Sequence, residues 1–109
     1  MSTPELPQTV RAFIDAVNDH DEAAFLAAFP PDGYVDDWGR TFTGHEAIKG
    51  WSDLEFIGAR GVLTPEEVTV DGDSVTVIGD WRSNHANGRS RFTFRVAGDQ
   101  IASMTIREG

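Results

Sequence analysis

Apolar residues recur every three or four positions in the first half of the chain and every second position from Val62 onward. The first spacing is that of helices and the second that of strands. Val10, Phe13, Ile14 and Val17 make one helical stripe, with Arg11, Asp15 and Asn18 opposite. Ser2 or Thr3 can cap this helix, and Pro4 or Pro7 suits its first turn. The polar run Asn18-Asp-His-Asp21 predicts its end. Asp21 then has the acceptor side chain of an N-cap for a second helix, Glu22 to Phe29, with Phe25, Leu26 and Phe29 as its apolar face. Pro30-Pro31 stops it, because proline has no N–H to continue the ladder.

Tyr34 to Trp38 reads as a short strand, Gly39-Arg40 as a turn and Thr41-Phe-Thr43 as the return. Thr43 and Glu46 have the spacing of a capping box. They predict a third helix from about His45 to Phe56, carrying Ile48, Trp51, Leu54 and Glu55. Gly50 costs roughly 1 kcal/mol against alanine, so a bend or an early end is expected there. Val68 and Val70 lead to a turn at Asp71-Gly-Asp73. Val75, Val77 and Trp81 alternate with Thr76, Asp80 and Arg82. Asn87-Gly88 predicts a tight hairpin. Phe92, Phe94 and Val96 alternate with Arg91, Thr93 and Arg95, and Gly98-Asp99 turns into a last strand, Ile101 to Arg107.

Helices first and hairpin-linked strands after them predict an α+β fold. Three N-terminal helices pack on a strongly curved, mostly antiparallel sheet, in one domain over residues 1–109. A bent sheet wrapped around helices leaves a cone-shaped interior. Ile78 lies on the otherwise polar face of its strand, and Met104 and Ile106 oppose Ile101 and Thr105. Apolar residues on both faces predict a sheet covered on both sides, by helices and by a second copy of the chain. A homodimer is therefore expected.

Composition narrows the partners. Acidic residues outnumber basic ones 18 to 9, and the formal charge of -9 repels phosphate backbones and anionic lipid. Neither nucleic acid nor a membrane is expected as a partner. No apolar run has the length of a membrane span, and the N-terminus shows no basic segment followed by an apolar one. A cytoplasmic address follows by default. There is no cysteine, which excludes disulfides and thiolate metal sites. His20, His45 and His85 have no metal-ligand spacing, so no metal is expected. No phosphate loop, dinucleotide fingerprint or nucleophile elbow occurs, and no cofactor is expected.

The candidate chemistry sits in Asp32-Gly-Tyr-Val-Asp-Asp-Trp-Gly-Arg-Thr-Phe-Thr-Gly-His-Glu-Ala-Ile48. Two adjacent carboxylates, Asp36 and Asp37, stand beside Tyr34 and Trp38. Successive strand residues point to opposite sides, so one of the pair faces the interior. Val35 shares the face of Asp37 and Tyr34 that of Asp36. A carboxylate among large apolar surfaces is desolvated and can serve as a base. His85 lies beyond Trp81 on the same strand face, near the Asn87-Gly88 turn, and is a second candidate acid or base. His20 and His45, at helix boundaries, read as structural. Trp38, Trp51 and Trp81 can line a cavity or simply fill the core, two roles that coincide in a cone.

The run Phe13-Ile-Asp-Ala-Val-Asn-Asp-His-Asp-Glu-Ala-Ala-Phe25, then Tyr34-Val-Asp-Asp-Trp38, then Thr43-Gly-His-Glu-Ala-Ile48, resembles the nuclear transport factor 2-like superfamily. The resemblance is to its SnoaL-like and ketosteroid isomerase-like branches and covers essentially the whole chain. It implies a pocket in the cone for a small apolar ligand, with Phe13, Tyr34, Trp38, Trp51, Trp81, Phe92 and Phe94 as candidate ligand-binding residues. In the isomerase branch a carboxylate closes the short strand and acts as general base, and Asp37 matches that position. The rest of that machinery is missing. Phe13 stands where the branch has an oxyanion-hole tyrosine. Phe92 lies near the position of its protonated aspartic acid, a carboxyl kept neutral by an apolar site. Steroid isomerase activity is therefore not expected.

Two functions remain open. One is binding of a small hydrophobic molecule in the cone, with cofactor-free isomerase-, cyclase- or lyase-type proton transfer by Asp37. The other is a non-catalytic ligand-binding or dimerisation module in which Asp37 is a turn residue.

Overall fold

The structure is a computed structural model and describes residues 5–109. The cap expected from Ser2 or Thr3 lies outside the described residues. Helix α1 (Gln8–Asn18) forms where the first apolar stripe predicts it, and Val10, Phe13, Ile14 and Val17 are all buried. Asn18 ties its end to the sheet: the side-chain amide donates to the Leu63 carbonyl and accepts from the Leu63 N–H, both at 2.8 Å. Helix α2 (Glu22–Ala27) has six residues, too few to hold alone in water. Two things fix it. The Asp21 carboxylate accepts the Ala24 N–H at 3.1 Å, and Phe25 and Phe29 are almost wholly buried, each contributing about 1.5–3 kcal/mol of burial.

Strands β1 (Tyr34–Asp37) and β2 (Arg40–Thr43) form the short hairpin, and α3 (His45–Glu55) follows. The capping box is not made. Thr43 stays in β2 opposite Tyr34, and Gly44 takes the N-cap position at φ 88° with no side-chain cap. Helix α3 runs through Gly50 without interruption, and that residue faces open space. Leu54 is exposed and contributes nothing to the core.

Four long strands complete the fold: β3 (Val62–Asp71), β4 (Ser74–Arg82), β5 (Gly88–Ala97) and β6 (Gln100–Glu108). The sheet has the order β2-β1-β6-β5-β4-β3, antiparallel except for β1 beside β6. Bulges bend it in β3, at Pro65 to Glu67, and between β5 and β6. Its concave face carries Val75, Val77, Trp81, Phe92, Phe94 and Met104 against the helices. The three helices and this curved sheet give the α+β architecture expected from the change of period at Val62.

Two sequence expectations change. Asn87-Gly88 does not form the tip of a two-residue turn. Trp81 pairs with Gly88, and Ser83 to Asn87 make a five-residue loop. Its own side chains close it: Ser83 N–H donates to Asn87 Oδ1 at 2.9 Å, and Ser83 Oγ accepts the N–H groups of His85 and Ala86. The second change is in β6. Arg95 pairs with Ser103 but Val96 with Ile101, so Ala102 is an extra residue. It shifts the alternation, and Ile101, Met104 and Ile106 are all buried. The last strand is not apolar on both faces, which removes that part of the case for a dimer. Among the described residues no helix is long and apolar enough to cross a membrane.

Candidate functional site

The β1–β2 turn builds the site. Trp38 and Gly39 occupy its two central positions at φ 55° and 93°, the pattern of a type I′ turn. Gly39 adopts it without strain. Trp38 does not, and a bulky residue there stores backbone energy. The turn is held from the outer face, where Asp36 Oδ1 accepts the Gly39 N–H at 2.8 Å and Arg107 binds both Asp36 oxygens at 3.1 Å. The Arg107 guanidinium, helped by that N–H, keeps Asp36 below the usual carboxylate range against the push of desolvation. Asp36 therefore braces the turn on the convex side.

Asp37 points the other way. Its Oδ2 accepts the Trp51 Nε1–H at 3.0 Å and an Arg40 N–H at 2.5 Å. The Arg40 guanidinium also spans to both oxygens of Glu55, at 3.0 and 2.6 Å, and lies 5.6 Å over the Phe42 ring. His85 Nε2 reaches Glu55 Oε1 at 3.1 Å. Four groups from the hairpin, the end of α3 and the β4–β5 loop thus form one chain: Asp37, Arg40, Glu55, His85. Hydrogen bonding from Arg40 holds Glu55 below its ordinary carboxylate range, outweighing burial, with a smaller contribution from His85. The two carboxylates in turn push Arg40 upward, Glu55 more than Asp37.

This chain rims a pocket of about 70 Å³, or about 380 Å³ with its open mouth. Asp37, Trp38, Trp51, Trp81, His85 and Phe92 all line it, together with Glu55 and Phe56. Its back wall is a pile of rings. Phe56 stacks on Trp51 at 4.8 Å and on Trp81 at 4.6 Å, and Trp51 stacks on Phe42 at 5.9 Å. Behind this pile is a second, wholly apolar gap of about 10 Å³, where Phe13 and Phe94 lie with Ile14, Val17, Leu63 and Met104. That is at the limit of what one water needs, roughly 10–15 Å³.

The structure so divides the sequence candidates. Asp37 and His85 face one pocket with Trp38, Trp51, Trp81 and Phe92. Phe13 and Phe94 belong to the deeper core, 5.4 Å apart. Tyr34 does not line the pocket: it shares the face of Asp36, as strand alternation requires, and is 40% exposed. Phe56, Arg40 and Glu55 are the residues that sequence reasoning did not single out for the site. Glu55 follows Trp51 by four positions and so lies on the same helix face. Arg40 is the cross-strand partner of Asp37. His20 and His45 are structural, bonding the carbonyls of Gly61 at 3.0 Å and Phe29 at 2.7 Å. Among the described residues no group of three or more His, Asp or Glu side chains is arranged for a metal ion.

The fold is shared with many solved proteins. A candidate polyketide cyclase from Sinorhizobium meliloti superposes with a TM-score of 0.82 at 29% identity, over 94% of this chain and 95% of that one. A Mycobacterium tuberculosis protein in complex with estradiol-17β-hemisuccinate gives 0.80 at 21% identity, over 93% and 91%. A computationally designed 17-OHP binder gives 0.81 at 18%, over 93% and 88%. No protein of curated function matches the chain. The SnoaL-like domain family matches residues 10–109, and with that extent the chain belongs to the SnoaL-like domain family, within the nuclear transport factor 2-like superfamily.

Proposed function

We propose that this protein binds a small hydrophobic molecule in the pocket rimmed by Asp37 and His85, and that it acts on it by cofactor-free proton transfer with Asp37 as the base. The observation that carries the reading is the position of Asp37. Its carboxylate is on the wall of an aromatic pocket, and its Oδ1 accepts no hydrogen bond from the described residues while Oδ2 is fixed by two donors. A carboxylate oriented through one oxygen presents the other to a ligand's proton. The Glu55–His85 pair, joined to Asp37 through Arg40, supplies a second proton-carrying group on the same rim. Structurally similar proteins bind a steroid ester and 17-OHP, which supports a small apolar ligand as a class and not its number of rings.

One observation favours the non-catalytic reading. Arg40 and Trp51 both clamp Asp37, so the carboxylate also serves as a clip between the hairpin and α3. Asp37→Asn separates the two. The amide is isosteric and its oxygen can keep the Arg40 and Trp51 bonds, so a catalytic base predicts turnover abolished in a variant that folds as the wild type does. Unchanged turnover of any substrate found would remove Asp37 from the chemistry. The reading also includes a homodimer formed through the outer sheet face, where half-buried Ile78 sits among polar neighbours.

A further inference from the structure

We infer that Phe56 sets the depth of the pocket, so that the site takes a single-ring molecule with a hydrogen-bond donor at one end and not a fused polycycle. This rests on the proposed ligand-binding function and specifies its ligand. Phe56, Trp81 and Phe92 line both the outer pocket and the inner apolar gap. They form a partition one ring thick. Trp81 and Phe92 are fixed on adjacent strands by the sheet ladder. Phe56 follows the last turn of α3, with φ −127° and ψ −93°, and its ring fills the space between Trp51 and Trp81. It is the one member of the partition supplied by irregular backbone.

Size limits one end of the ligand. An apolar cavity of about 150 Å³ accommodates one benzene ring. The outer pocket has about 70 Å³, so a single ring fills it and protrudes into the mouth. A molecule of three or four fused rings enters only if Phe56 leaves. Polarity fixes the other end. Both Glu55 oxygens and the Arg40 guanidinium are engaged with each other or with Asp37 and His85. Asp37 Oδ1 is an acceptor on that wall with no hydrogen-bond partner among the described residues, and the Ser90 hydroxyl and His85 ring line the pocket beside it. A carboxylate accepts only, so the ligand group that meets Asp37 donates, as a phenol, an enol or an N–H does. Two carboxylates against one guanidinium disfavour an anionic ligand.

The test is calorimetric titration with phenol, toluene and 1-hydroxypyrene on the wild type, Phe56→Ala and Phe56→Leu. On the wild type, phenol is expected to bind at least tenfold tighter than toluene and tenfold tighter than 1-hydroxypyrene. Phe56→Ala joins pocket and gap, and 1-hydroxypyrene should then bind at least tenfold tighter than to the wild type, with Phe56→Leu between the two. Should the alanine variant not fold, judged by thermal unfolding, the leucine variant decides. Wild-type affinity for 1-hydroxypyrene equal to that for phenol, or an order of affinities unchanged in the variants, overturns the role of Phe56. Toluene binding as tightly as phenol overturns the donor requirement. Absence of one-to-one binding by any probe to any of the three proteins overturns the ligand-binding function itself.

Discussion

Gly61→Ala should damage the pocket wall from behind, and the size of the effect can be worked out in advance. A methyl group on Gly61 would stand 2.1 Å from Cη2 and 2.2 Å from Cζ2 of Trp81. Carbon atoms want roughly 3.5–4.0 Å, so one side must give by about 1.5 Å. Trp81 can yield only by disturbing its stack, toward the pocket and the gap that it lines. Phe56 stacks on it at 4.6 Å and 12°, and Phe92 packs at 5.7 Å. Overpacking of this kind costs about 1–3 kcal/mol. The backbone of Gly61 is not left-handed, so alanine also gains about 0.4–1 kcal/mol from a stiffer unfolded chain. The net loss should be about 0–2.6 kcal/mol, centred near about 1.3 kcal/mol, or on the order of 5–10 °C in Tm for a domain of this size at that centre. Trp81→Phe deletes the outer ring and with it both clashing atoms. In that background Gly61→Ala should be neutral or slightly stabilising, apart from a tight 3.1 Å approach to the Phe56 carbonyl oxygen. Urea melts of the four proteins by circular dichroism give the coupling directly. Additivity within about 0.5 kcal/mol would refute the reasoning, because the Gly61–Trp81 contact would then not hold the stack.

Two further expectations concern charge and assembly. Arg40 holds Glu55 below its ordinary value of 4.5, so the charged form is favoured in the fold. That stabilisation is present above the unfolded pKa and is lost as pH falls through the folded one. Glu55→Gln should therefore destabilise at neutral pH, by less than the Gly61 effect because the network is partly solvated, and the deficit should begin to shrink as pH falls below about 4.5 and close only below the lower folded pKa. A deficit that does not shrink at all as pH falls below about 4.5 would show that the charge is not its source. Sedimentation equilibrium should give twice the 11.9 kDa chain mass, and a concentration-independent monomer would end the dimer proposal.

Much of the fold could be read from the sequence because the strongest periodic signals were also the buried ones. Val10, Phe13, Ile14 and Val17 form a helical face, and Val75, Val77 and Trp81 a strand face, and both sets are buried. What could not be read was geometry that a single extra residue decides. Ala102 moves Ile101 from one side of β6 to the other, and nothing in its own chemistry announces a bulge. Asn87-Gly88 is a strong turn pair, but Ser83 offers competing hydrogen bonds upstream and the loop closes there instead. The same holds at the site. Asp37 was legible because strand alternation separates it from Asp36. Arg40 and Glu55 were not, because their meeting depends on the angle between the hairpin and the end of α3, which no local spacing encodes. Phe56 carries no periodic signal, since it lies just past the helix.

The single parallel pairing has a consequence for the order in which the molecule comes into being. Asp37 lies beside Ile106, and Tyr34 beside Ser103. The hairpin that carries the proposed base thus docks on the strand that leaves the ribosome last of all the sheet. Until β6 has formed against β5, β1 and β2 have only each other, and two short strands alone are at best marginal in water. Contacts between residues so far apart in the chain are also the slow ones to close. The helices and the β3–β5 meander can collapse early around Phe25 and Phe92, but the acidic rim of the pocket cannot exist at that stage. Competence to hold a ligand is then a late event in folding, and it should be the first property lost when the β1–β6 seam opens, before the rest of the molecule unravels.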